Sequence, residues 1–164
     1  MHREGHYGAA LVAYAPLGFV TAVLGFGDLA VGGAVLAVAL AVLPDYDQRV
    51  PGITHRGVTH TLWFALVVGA ALGGAGLLLG ENAGPGVDPL LGAFGFSVGV
   101  VTVCSHVAAD ALTPMGVHPF APLDDRHVSF RVTKASNPVA NYALFLLGVV
   151  VVGAAGLLAV EFGA

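Results

Sequence analysis

The chain has 164 residues, of which 57% are hydrophobic and 10% charged, and its mean hydropathy is +0.86. A soluble domain carries about 25% charged residues, so this composition leaves too little polar surface for water and assigns the apolar excess to lipid. A formal net charge of −4 with only six Lys and Arg excludes a basic stripe for neutralising phosphates, and nucleic acid is not an expected partner.

The first apolar run covers roughly residues 8–26 and is preceded by His2 and His6. It follows Arg3 in the manner of a signal peptide, but it is too long for an h-region and lacks a small-x-small cleavage site, so it reads as a retained helix. Gly25, Gly27 and Asp28 mark a turn. The second run, 29–43, covers only about 22 Å as a helix, less than the roughly 30 Å of a hydrocarbon core. Pro44 should end it below the lipid headgroups, leaving the following Asp45-Tyr46-Asp47 recessed. A carboxylate at a helix C-terminus meets the negative end of the macrodipole, an unfavourable placement unless a cation sits beside it.

His55-Arg56-Gly57-Val58-Thr59-His60 leads into the third run, 60–80. The free N–H groups of that helix start, with Thr59 and Arg56, make a candidate anion site. On an ideal helix His55 and His60 would diverge by about 140°, so they converge only if His55 lies in the loop. The fourth run, 89–112, carries Cys104-Ser105-His106-Val107-Ala108-Ala109-Asp110 near its end. His106 and Asp110 share one helix face, and His106 is about 6 Å deeper in the membrane. A carboxylate or imidazole there is a functional hypothesis by default, with a structural interhelical His–Asp hydrogen bond as the bland alternative. Cys104, the single cysteine, excludes an intrachain disulfide and reads as a small core residue. A long loop, 113–138, contains Phe120, Arg126, Arg131 and Lys134 and could lie on the headgroups as a lid, with 128–133 as a short strand. The fifth run is 139–160. Gly69 to Gly73 and Gly95 to Gly99 are spacings that let membrane helices pack closely.

These features describe a single all-α membrane domain, a bundle of about five transmembrane helices. If each run spans once, Arg3, Arg49, Arg56, Arg126, Arg131 and Lys134 share one side, against Asp28, Glu81, Asp88 and Glu161 on the other. The positive-inside rule makes the basic side cytoplasmic, with the N-terminus there and the C-terminus outside a cell or inner membrane. All seven histidines lie on or near that same side.

His6, Asp45, Asp47, His55, His60, His106 and Asp110 are therefore the candidate metal ligands. Mixed His and Asp donors suit a divalent metal, zinc foremost and manganese or iron next, better than calcium. Seven donors exceed what one catalytic zinc needs, so one or two ions are expected, with any surplus orienting the ligands. Asp47 and His55 are candidates for moving protons, and Arg56 for steadying developing charge.

The elements His6, Leu-Pro-Asp-Tyr-Asp at 43–47, His-Arg-Gly-Val-Thr-His at 55–60, and His106 to Asp110 followed by Thr113-Pro114-Met115-Gly116 and Pro119 cover most of residues 6 to 122. In their order and spacing the sequence resembles the YdjM-like membrane-bound metal-dependent hydrolases, described as LexA-binding and inner-membrane-associated. A fainter similarity is to zinc-dependent phospholipases C, which also place a His-x-x-x-Asp helix after Asp and His. This chain has no later His-x-x-x-Glu, which separates it from a three-zinc site. The resemblance implies hydrolysis of a phosphoester or lipid substrate at the cytoplasmic surface, with membrane lipids as partners. Two other classes stand beside it. A metal or ion transporter would need polar groups through the membrane, yet 61–80 and 139–160 hold no Asp, Glu, Lys, Arg or His. A non-catalytic anchor or regulator would retain the metal and dock a protein on its loops.

Overall fold

The computed structural model describes residues 1–163. Each apolar run becomes a helix: α1 (Arg3–Val23), α2 (Gly27–Leu40), α3 (Leu62–Gly80), α4 (Val87–Ala111) and α5 (Pro138–Phe162). Short 3₁₀ segments at Pro44–Arg49 and Val58–His60 join α2 to α3, and no strand occurs among the described residues.

The helix ends differ from the apolar runs for local reasons. α1 begins at Arg3, five residues before apolar residues take over, because Glu4 in its first turn complements the positive end of the helix. This brings His6 onto the helix. α2 stops at Leu40, four residues before Pro44, whose ring would clash with the Leu40 carbonyl of a continuing helix. The path does not halt there. Asp45 N–H donates to the Val42 carbonyl and Tyr46 N–H to Leu43 in a 3₁₀ continuation, so Gly27–Arg49 forms one 23-residue segment. That is long enough to cross a membrane, which revises the expected short second span. All five segments then qualify as spans.

α3 lies along α4, α1 lies along α5, and α1 also touches α2 and α4. Lipid gives no hydrophobic drive for helix association, so contact depends on close backbone approach. At Gly99 of α4 a Cβ would lie 2.9 Å from the Gly69 backbone of α3, and at Gly148 of α5 it would lie 2.6 Å from the Gly8 carbonyl oxygen of α1. Tyr14, Ala37 and Val98 fill the junction of α1, α2 and α4, and the Tyr14 hydroxyl donates to the Ala30 carbonyl at 2.6 Å.

The loop after α4 is anchored to helix ends. Phe130 N–H donates to the Ala111 carbonyl at 2.7 Å, and Val132 N–H to Leu112 at 2.8 Å. Leu62, at the start of α3, donates to the Pro119 carbonyl. The amides of Phe130, Val132 and Thr133 thus serve carbonyls left open at the end of α4, and a single antiparallel bridge, Val117 to Val128, stands where a strand was expected.

Candidate metal centre

One end of the bundle gathers His6 from α1, Asp45 from the 3₁₀ continuation of α2, His60 from the turn before α3, and His106 and Asp110 from α4. His6, His60, His106 and Asp110 are buried, while the Asp45 side chain is 23% exposed. Asp45 is the open edge of the cluster.

The histidines have defined hydrogen-bonding roles. His106 Nδ1 lies 2.7 Å from the Ala41 carbonyl, which can only accept, so Nδ1 carries a proton and in the neutral ring Nε2 is the bare lone pair. Thr59 donates its hydroxyl to Asp47 Oδ2 at 2.8 Å, leaving its oxygen to accept from His60 Nδ1 at 3.0 Å. Asp47 Oδ2 itself is 3.3 Å from that Nδ1. His60 Nε2 is therefore also bare. Burial pushes His60 below the ordinary imidazole value, although a hydrogen bond with Asp45 opposes the shift, so the neutral form is favoured. Yet the two Nε2 atoms face each other at 3.1 Å. With both rings neutral in these tautomers two lone pairs face each other at that separation, a contact that a shared proton or a bound metal cation relieves.

The carboxylates complete the arrangement. Asp45 Oδ1 is 3.5 Å from His60 Nε2 and 3.6 Å from His106 Nε2, and Asp110 Oδ2 is 3.5 and 3.8 Å from the same atoms. An ion with tetrahedral ligands at about 2.0–2.2 Å has edges of roughly 3.3–3.6 Å. Asp110 Oδ2 is buried with no hydrogen-bond partner among the described residues, a costly state that a cation would relieve. The residues fit a divalent metal.

His6 stacks on His106 with centroids 3.7 Å apart. Its Nε2 is 3.7 Å from Asp45 Oδ2 and 3.6 Å from Asp110 Oδ1, the other oxygen of each carboxylate. The Met1 ammonium also lies here, 3.1 Å from His6 Nε2 and paired with Asp110 Oδ1.

Three candidates stand around the cluster. Asp47 is buried behind it, taking His55 Nδ1 at 2.9 Å on one oxygen, and Thr59 and the Arg56 N–H on the other. His55 is 36% exposed at its side chain and lies close to Asp45 and His60, its ring 5.3 Å from that of His60. Both histidines precede α3, which lets residues five apart converge. Arg56 has a left-handed backbone, φ 60°. Its guanidinium reaches Asp110 Oδ1 at 2.8 Å, Thr113 Oγ1 at 3.0 Å and the Gly116 carbonyl at 2.9 Å. The anion site expected at the start of α3 is filled by the protein's own groups: Thr61 caps the helix by accepting from Phe64 N–H, Thr59 faces Asp47, and Arg56 faces Asp110.

Sequence reasoning passed over Asn141, the buried amide in the first turn of α5. It accepts from His2 N–H at 3.0 Å and donates to the Ala135 and Asn137 carbonyls, which ties the start of α1 to α5. A lone amide in an otherwise apolar run was the available signal. His118 and His127 pair with loop carbonyls away from the cluster.

Two clefts flank the centre. One, about 560 Å³, has Asp45 in its wall with Arg3, Glu4, Gln48 and Arg49. The other, also about 560 Å³, is bordered by His55, Met115, His118 and Asp125. A larger apolar groove of about 700 Å³ between α2 and α5, floored by Tyr14 and Gly18, has Asp28 as its only acid and is apart from the ligands.

Residues 1–163 match the family model described as YdjM inner membrane protein. No curated protein and no solved structure matches the chain.

Proposed function

The chain belongs to the YdjM inner membrane protein family, and on that premise we propose that it is a membrane-bound metal-dependent hydrolase acting on a phosphoester or lipid substrate at the cytoplasmic surface. The observation that carries this reading is the pair of bare imidazole nitrogens, His60 Nε2 and His106 Nε2, 3.1 Å apart between two carboxylates. Zinc is the ion best matched to this donor set, with manganese or iron as alternatives. A metal held there supplies Lewis acidity and an activated water near neutral pH.

The surrounding residues take separate roles. His55 stands half-exposed beside Asp45 with its Nδ1 on Asp47. That pairing fixes its tautomer and leaves Nε2 free to move a proton at the rim of the site. Asp47 orients both His55 and His60, so its role is to hold imidazoles in place. Arg56, committed to Asp110, Thr113 and Gly116, fixes a ligand carboxylate and does not turn toward substrate. The cleft at Asp45 is the approach, and Arg3 and Arg49 in its wall suit an anionic headgroup. We assign this end to the cytoplasm because all six basic residues of the chain belong to it.

Two measurements test the reading. Metal analysis of detergent-purified protein should find bound metal in the parent chain and none in His106→Ala. A panel of phospholipids and soluble phosphoesters, assayed with and without chelator, should reveal chelator-sensitive turnover. Metal binding without turnover of any substrate would replace the hydrolase with a metal-containing anchor or regulator.

A further inference from the structure

The two carboxylates of the centre divide their oxygens between two places. Asp45 Oδ1 and Asp110 Oδ2 face the nitrogens of His60 and His106. Asp45 Oδ2 and Asp110 Oδ1 face His6 Nε2, at 3.7 and 3.6 Å. A carboxylate that turns one oxygen to each of two donor sets has the form of a bridge between two cations. Among the described residues His6 Nε2 has no hydrogen-bond partner besides the Met1 ammonium, and His6 is fully buried.

We infer that the centre binds two divalent cations, the first between His60, His106, Asp45 and Asp110, the second at His6 with the remaining oxygens of Asp45 and Asp110. This rests on the metal-dependent reading above and extends it. The Met1 ammonium lies in the second place against His6 Nε2 and Asp110 Oδ1, and a second cation would displace it. That place supplies only three protein donors where the first supplies four, the open type of coordination found at reactive metals. Electrostatics allow it. Three carboxylates, Asp45, Asp47 and Asp110, gather at this centre, and the Arg56 guanidinium pairs with Asp110, so two dications leave a net positive site that suits an anionic substrate. His55 groups with Asp45 and His60, whereas His6 groups with Asp45, His106 and Asp110, so His55 lies outside the second place.

The test is to load the detergent-purified chain with Mn²⁺ and read stoichiometry by elemental analysis and coupling by electron paramagnetic resonance. Two ions per chain with an exchange-coupled spectrum are expected, falling in His6→Ala to one ion per chain with the spectrum of isolated Mn²⁺. One isolated ion in the parent chain, or two ions retained by His6→Ala, overturns the inference while leaving the hydrolase reading intact. No bound ion in the parent chain removes both. If His6→Ala does not fold, the parent spectrum alone decides between a coupled pair and a single ion.

Discussion

The two ends of the helix bundle are built from the same helices and behave as different materials. At one end His6, Asp47, His60, His106 and Asp110 are buried and joined by side-chain contacts. At the other, Asp28, Glu81 and Glu161 are exposed, and no side-chain hydrogen bond or ion pair involves them or Asp88 among the described residues. A lone acid at a membrane boundary reaches water at little cost, whereas an acid inside the bundle needs partners. The investment in partners at one end only marks that end as the working one.

The contrast breaks most severely at Asp110. Asp110→Ala removes a candidate ligand and leaves the buried Arg56 guanidinium without its carboxylate, a loss of about 3–5 kcal/mol for a buried pair. Metal content should fall to background and the thermal unfolding midpoint should drop sharply. A variant with parental metal content would show that Asp110 is not a ligand.

Asp47→Asn probes the layer behind the ligands. The amide retains the shape but loses the charge that orients His55 and His60, and metal affinity should fall by about 10- to 100-fold, read by competition with a chelator. Acidification acts on the same imidazoles. His60 is held below its ordinary value by burial, so as pH falls through about 6.5 the unfolded chain takes up this proton before the folded one does. The contribution of neutral His60 to stability is therefore complete above that range and declines below it. Metal affinity should persist at pH 6.5 and then fall, by about tenfold per pH unit for each ligand protonated. Metal retention that is flat to pH 4 would contradict histidine ligation.

Asn141→Ala cuts the link between α5 and the start of α1 and should cost about 1–3 kcal/mol, read by thermal unfolding. Asp28→Asn and Glu81→Gln, at the other end, should change stability by no more than about 0.5 kcal/mol and leave metal content unaltered. A large effect at Asp28 would mean that the two ends are more alike than the contacts indicate.

The helices and the gathering of histidines were legible because both follow from simple periodicities. Long apolar runs mark spans, and the i, i+4 spacing of His106 and Asp110 puts both on one helix face wherever that helix is placed. The position of Asp47 was not legible. It is two residues from Asp45, and the direction each side chain takes depends on the 3₁₀ turn that follows Pro44. Arg56 was read as free to meet an anion because its left-handed backbone, stabilised by a bond from its own N–H to Asp47, has no signature in residue type. The loop 113–138 presents exposed Phe130 and Val132 beside Arg131, but its backbone serves the end of α4, a long-range pairing that local sequence does not encode. Helix α1 began earlier than its apolar run because hydropathy reports contact with lipid and not helical hydrogen bonding.

X-ray absorption at the metal edge of the zinc-loaded chain in detergent addresses the central claim most directly. It should show imidazole scattering together with a first shell of nitrogen and oxygen at about 2.0–2.2 Å, and the imidazole signal should weaken in His106→Ala. A shell of oxygen alone, or the same imidazole signal in parent and variant, would contradict a metal centre built on His60 and His106.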